Sequence, residues 1–305
     1  MIFQDITTDQ QWSEAIELRN LFNWCYPMTV AEAKSFFELS KATRNDDRFV
    51  GLDDQNVIVT HGGVTYNRNA DDGTYWFTVY LDPHKPDSPD RFRSTVREGI
   101  RRVEGYQGTR AMLESRGEYG WCSQVLRDEG FSLEMTAPFS GLNVQSTDFS
   151  SDPCIISASA YLAEFPTHGL HDLWRLEMDV ASDLPLPYPF VETPFESFSK
   201  MILDPEVDLS SYFLLVEDGK LKGLSQVWPS RVNRKLAATG LTGVRREFRR
   251  QRVASRLKQH AINWAAARGI ERIFTDNEEN NPMYQLNLQL GFRHMFDYEV
   301  YSKTC

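Results

Sequence analysis

Two kinds of hydrophobic spacing run through the chain, and they occur in the same order twice. Ile2–Ile6 reads as a short strand. Trp12, Ile16 and Phe22 then recur at helical spacing, as do the apolar residues between Val30 and Leu39. Strands are predicted at Arg48–Leu52, Val57–Tyr66 and Tyr75–Leu81, the last a run of β-branched and aromatic residues. A helix over Arg91–Val103, a strand at Thr109–Glu114, a helix stopped by Gly130-Phe131 and a strand at Leu133–Val144 complete the series.

The second half repeats it. Ile155–Ser157 is a strand and Leu173–Ala181 a helix; prolines 185, 187, 189 and 194 mark a stiff loop before the helix Phe195–Ile202. Tyr212–Val216 and Leu221–Trp228 form a hairpin about Asp218-Gly219, and Leu236–Val244 is the next strand. The longest helix follows, with Val253, Leu257, Ala261, Trp264 and Ala265 on one face and Gly269 in the cap position. After the strand Ile270–Thr275, Asn281-Pro282 opens a last helix whose apolar stripe is Met283, Leu286 and Leu290; Gly291-Phe292 stops it. A ββαβα order that twice ends in Gly-Phe predicts an α/β fold with a mixed sheet. Two domains are expected, 1–150 and 151–305, divided at the polar stretch QSTDFSSD around Thr147–Ser151.

With 305 residues, 41% of them hydrophobic and 12% aromatic, the chain has the apolar surface for real cores, which excludes a disordered polypeptide. Its net charge of −10 argues against a general nucleic-acid binder. The charge is uneven. Residues 1–150 hold 15 basic and 23 acidic side chains, residues 151–305 hold 18 and 20, and Arg245–Lys258 alone holds seven basic residues and one acid, Glu247.

Cys25, Cys122, Cys154 and Cys305 are isolated, which is neither a disulfide framework nor a zinc signature. The six histidines are scattered; His168 and His171 lack a ligand partner at metal spacing, so no metal site is expected. The N-terminus lacks the basic and apolar regions of a signal peptide, and no apolar run approaches the roughly 18 residues of a membrane span. A cytoplasmic protein with no membrane partner is the expectation, as monomer or homodimer.

The basic stretch lies where a strand turns into the longest helix. A helix start presents unpaired backbone N–H groups and the positive end of its dipole, and arginines gathered there add charge-assisted donors. Such a turn suits a phosphate or pyrophosphate. The plain alternative is a solvated basic helix face.

The residues of this region, Val244, then Arg249-x-x-x-Val253-Ala254, the long helix, and Asn277…Asn280-x-Pro282-Met283-x-x-x-Asn287-x-x-Leu290-Gly-Phe292, resemble the GCN5-related N-acetyltransferase (GNAT) family. More narrowly, together with Leu173-x-x-Leu176-Glu177…Asp183-x-Pro185, they are similar to its tandem-domain members, the type of mycothiol synthase. The resemblance implies two tandem GNAT-like domains, the second carrying an acyl-CoA site and the first degenerate. It implies that Arg249, Arg250, Gln251, Arg252, Val253, Ala254 and Ser255 cradle the pyrophosphate of acetyl-CoA. Val244 would bond the pantetheine arm, and Asn280 and Asn287 would contact the cofactor. Glu177 and Asp183 would face the acceptor, a primary amine of a small molecule, to which the acetyl group is transferred directly.

Several positions depart from that pattern. Arg252 stands where the family loop has glycine, so its guanidinium either adds a phosphate contact or fills the cleft. Asn287 replaces the usual general-acid tyrosine; Tyr284, one turn earlier on the same helix face, is the candidate acid, with water the other proton source. The base of mycothiol synthase falls near Ala238, which cannot serve. In the first half the matching loop, Leu81–Arg91, is rich in aspartate and proline, so that half is not expected to bind CoA. These departures leave open a second reading, a GNAT-fold protein without catalysis that binds a nucleotide or an acidic partner through its basic turn.

Overall fold

The computed structural model describes residues 1–41, 46–67, 72–145 and 152–305. The chain forms two compact units, one made of residues 1–139 and 295–305, the other of residues 140–294. Residues 146–151, where the boundary was expected, lie outside the described residues.

Unit 1 runs β1 (Ile2–Asp5), α1 (Asp9–Phe22), α2 (Val30–Lys41), β2 (Asp46–Leu52), β3 (Ile58–Tyr66), β4 (Thr74–Leu81), α3 (Ser88–Gly105), β5 (Arg110–Arg116), α4 (Gly120–Asp128) and β6 (Ser132–Asn143), whose last four residues fall in unit 2. Unit 2 runs β7 (Ile155–Ser157), α5 (Ala158–Glu164), α6 (Gly169–Ala181), α7 (Phe195–Ile202), β8 (Tyr212–Glu217), β9 (Lys220–Pro229), β10 (Leu236–Val244), α8 (Val253–Ala267), β11 (Arg272–Asp276) and α9 (Pro282–Gln289). The last strand, β12 (Arg293–Thr304), leaves unit 2 and belongs from Met295 onward to unit 1.

Strand order in unit 1 is β1-β2-β3-β4-β5-β12-β6, and in unit 2 β6-β11-β10-β9-β8-β7. The mixed sheet expected from the element order is therefore present. The division differs from 1–150 and 151–305 in two respects: the first boundary falls at Phe139–Ser140 within β6, and β12 pairs antiparallel with β5, Tyr298–Thr304 opposite Arg116–Arg110, with Tyr301 fully buried in the unit 1 core. The reason is hydrophobic. Phe296, Tyr298, Val300 and Tyr301 are all buried on β12, and Tyr301 joins the core that holds Phe77, Leu113 and Phe131. Sequence periodicity shows that a segment can be a strand but not which strand it joins.

Each unit carries one parallel β-α-β crossover. In unit 1 β4 and β5 pair only over Thr74–Trp76 with Arg110–Met112, and α3 packs on the same sheet. In unit 2 β10 and β11 pair only over Leu236–Ala238 with Arg272–Phe274, and α8 lies against β8, β9 and β10. Beyond those three-residue pairings the parallel strands separate, which opens a cleft at the helix-proximal end of each pair.

Both helices that precede the final Gly-Phe end alike. Gly130 and Gly291 adopt left-handed φ values of 83° and 94°, and the following phenylalanine N–H reaches back to Leu126 O and Asn287 O, each at 3.0 Å. This closes the last turn and drives Phe131 and Phe292 into the two cores, at 4% and 2% exposure.

Candidate functional site

In unit 2, β10 ends at the buried Val244, and Arg246–Phe248 make a single 3-10 turn before α8 starts at Val253. Arg250 and Arg252 both hold left-handed backbone, φ 62°. That conformation is the one a glycine takes without penalty, and a non-glycine residue in it costs roughly 1–2 kcal/mol. Arg252 thus holds a backbone shape that favours glycine. It is the residue preceding α8, makes no side-chain cap, and no acid occupies the first turn of that helix. The helix start is left with its N–H donors and dipole uncompensated.

The arginines divide into two sets. Arg246 and Arg249 both donate to the Asp183 carboxylate, which they hold below the usual carboxylate range, and Arg249 Nε also donates to Val244 O at 3.1 Å. Arg245 pairs with Asp179 at 2.9 Å, and Arg256 with Asp152 and Glu217, both at 2.6 Å. Arg250 and Arg252 are exposed and have no ion-pair partner among the described residues. Gln251 is exposed and donates to Glu247 O at 3.2 Å. Of the remaining loop residues, Ala254 packs on the unit 2 core and Ser255 is half-buried in the first turn of α8. The site fits an anion: two unpaired guanidiniums flank an uncapped helix start, on a turn ordered by Asp183.

Two expected site residues occupy other positions. Asp183, expected to face the acceptor, serves the basic turn instead. Asn287 is fully buried, and its Nδ2 donates to Asn277 Oδ1 at 2.6 Å, which places it behind the tip of β11. Asn280 is exposed and donates to Glu278 at 2.9 Å. Tyr284 is half-exposed on α9; its N–H donates to Asn281 O at 2.9 Å, and its hydroxyl makes no hydrogen bond to the described residues.

Glu177 of α6 is the other residue expected to face the acceptor. It proves to be half-buried against the sheet. Its Oε2 accepts from Tyr212 Oη of β8 at 2.6 Å and from Gln226 Nε2 of β9 at 3.2 Å, and burial pushes its pKa up. Gln226 Oε1 in turn accepts the Leu241 N–H at 2.9 Å, inside the bulge where the β9–β10 register shifts between Thr239 and Thr242. Sequence reasoning missed Tyr212 and Gln226. Two polar residues in apolar strands were the only available signal. In unit 2, Lys258 of α8 is also buried, its Nζ 5.8 Å from the Phe292 ring centre, and burial lowers its pKa to about 8.

Unit 1 builds its cleft differently. A cavity of about 270 Å3 is lined by Trp76, Thr78, Tyr80, Glu114, Arg116 and Tyr298, among others. The turn after β4 carries Asp82, Asp87 and Asp90; Asp87 precedes α3 and pairs with Arg91 at 2.7 Å, and Asp90 lies in its first turn. Carboxylates occupy the helix start that an anion would need. Among the described residues no cluster of three or more His, Cys, Asp or Glu side chains could hold a metal, and no helix is long and apolar enough to cross a membrane.

Residues 170–292 match the model of the acetyltransferase (GNAT) family. No curated protein matches the sequence. Among solved structures, a GCN5-related N-acetyltransferase from Sphaerobacter thermophilus is 13% identical with a TM-score of 0.74, over 99% of this chain and 95% of that one. A tandem GNAT protein from the clavulanic acid biosynthesis pathway is 14% identical with a TM-score of 0.73, over 99% and 98%. A GNAT-family acetyltransferase from Colwellia psychrerythraea is 14% identical with a TM-score of 0.65, over the full length of both chains. Residues 170–292 are thus similar to the acetyltransferase (GNAT) family, and the chain as a whole has the fold of a tandem GNAT protein.

Proposed function

We propose that this protein is an acetyl-CoA-dependent N-acetyltransferase acting on a primary amine of a small molecule, with its single donor site in unit 2. One observation carries the reading. Arg250 and Arg252, unpaired and both in left-handed backbone, flank the uncapped start of α8 directly after β10. That arrangement supports a pyrophosphate held by two guanidiniums and the first-turn N–H groups of Val253, Ala254 and Ser255.

Acetyl-CoA, when bound, supplies an acyl thioester. The chain's own part is to orient, exclude water and move protons. Val244 and the adjoining β10 edge would position the pantetheine arm, Arg249 and Asp183 hold the turn in shape, and Gln251 and Asn280 lie at its exposed margin. On the acceptor side Glu177 supplies a carboxylate that favours an ammonium group. Tyr284 Oη is the candidate donor of the proton that the leaving sulfur takes up.

Calorimetry with acetyl-CoA tests the reading. One binding event per chain is expected, weakened at least about 100-fold by Arg250→Glu with Arg252→Glu, since each lost charged hydrogen bond removes roughly 1.5–3 kcal/mol. Absence of binding, or binding unchanged in the double variant, rejects it. Binding without acetylation across a broad set of primary amines would favour a non-catalytic role.

A further inference from the structure

In the structure Ala238 lies directly opposite Trp228 across the β9–β10 pair, so the two side chains share one face of the sheet. Gln226, two residues before Trp228 on β9, points to that same face and holds Glu177. Trp228 is 59% exposed, against a general tendency of this residue to be covered. Its indole lies across Gly240, where an added Cβ would meet Trp228 Cζ2 and Gln226 Oε1 at 2.5 Å. Gly240 is needed for this close approach.

We infer that this face is the acceptor site, with Glu177 as the group that takes the acceptor's proton and Trp228 as the wall for the acceptor's body. The inference rests on the acetyltransferase reading for the reaction and on the face's own geometry for the site. Glu177 Oε2 is occupied by Tyr212 and Gln226, and Oε1 makes no hydrogen bond to the described residues, which leaves it to an incoming ammonium. An N–H bond of that ammonium breaks and its proton passes to Oε1. The freed nitrogen pair forms the new N–C bond as the C–S bond breaks, the sulfur's electron pair takes a proton from Tyr284 or water, and the nitrogen gives a second proton back to that donor, which leaves a neutral amide and a thiol. The substrate class that follows is a primary alkylammonium carrying a flat or apolar body, which stacks on the indole.

Few other charges reach Glu177. Tyr212 faces it from β8 and Gln226 from β9, while β10 offers only uncharged Gly240–Thr242. On α6 itself Asp172 accepts from Tyr161 of α5, Arg175 pairs with Glu192 and Asp179 with Arg245. On α7 Lys200 pairs with Glu196. Burial raises the Glu177 pKa, and the bonds from Tyr212 and Gln226 oppose that rise.

The test is carboxyl carbon NMR on the full chain labelled at glutamate, with the Glu177 signal assigned by Glu177→Gln. Glu177 is expected to titrate above the ordinary glutamate value, and higher still in Tyr212→Phe, which loses a donor to the carboxylate. Phenethylammonium in molar excess is expected to lower the value by about one unit, as a cation within reach of a carboxylate does. Trp228→Ala should weaken that response at least tenfold in apparent affinity, whereas methylammonium should bind wild type and Trp228→Ala alike. An ordinary or depressed Glu177 value, no response to phenethylammonium, or an equal response in Trp228→Ala overturns the inference. Acetyl-CoA calorimetry on the same samples separates the two claims. Lost donor binding condemns the acetyltransferase reading, while a silent Glu177 with donor binding intact condemns the acceptor site.

Discussion

Unit 1 and unit 2 open the same kind of cleft and finish it with opposite chemistry. In each, two parallel strands pair for three residues and part, with a helix following the first strand. In unit 2 the turn into that helix gathers arginines and leaves its start uncapped; in unit 1 it carries Asp82, Asp87 and Asp90. Backbone topology supplies a slot, and a handful of side chains in one turn decides whether an anion can enter it. Separation of strands is therefore not a functional signal by itself; the sign of charge at the helix start is.

That comparison can be broken from several sides. The largest effects concern what the units share. Phe131→Ala and Phe292→Ala should each cost roughly 3–5 kcal/mol, because both phenylalanines fill cores from equivalent Gly-Phe helix ends. Denaturant melts that show a much smaller loss for one of them would mean the ends are not equivalent. The next effect belongs to unit 2 alone. Lys258, whose folded pKa of about 8 lies below its unfolded value, binds fewer protons folded than unfolded across that interval. Stability should therefore rise as pH increases from about 8 toward 10.5. Lys258→Met should remove this slope, readable from thermal melts at several pH values.

Smaller effects probe the turn itself. Arg252→Gly should fold at least as well as wild type, with a gain of up to about 1 kcal/mol from relief of the left-handed backbone. Arg252→Val should lose about 1 kcal/mol, since a branched side chain resists that conformation most. Equal stability of the two variants would show that the turn is not strained. In unit 1, Asp87→Asn with Asp90→Asn should leave acetyl-CoA binding at one per chain, because removing acids does not supply the missing guanidiniums.

Much of this architecture was legible in the chain. Helical spacing through Val253, Leu257 and Ala261, the Asn281-Pro282 start and the two Gly-Phe stops all mark local structure, and local structure is what periodicity and capping encode. The destination of β12 was not legible, because pairing partners depend on which core lacks residues. The basic turn stood out by charge, yet charge alone did not distinguish the paired Arg246 and Arg249 from the unpaired Arg250 and Arg252. Asp183, read as an acceptor-side acid, proved to be the partner that makes the difference. Glu177, expected to face the acceptor, gained its partners only once the strands placed Tyr212 and Gln226 against it.

Hydrogen exchange with and without coenzyme A tests the central claim most directly, that one turn of one unit holds the donor. Protection is predicted over residues 243–255, spanning the end of β10 and the start of α8, with residues 81–91 unchanged. Protection of residues 81–91, or none at either turn at saturating ligand, would contradict the account.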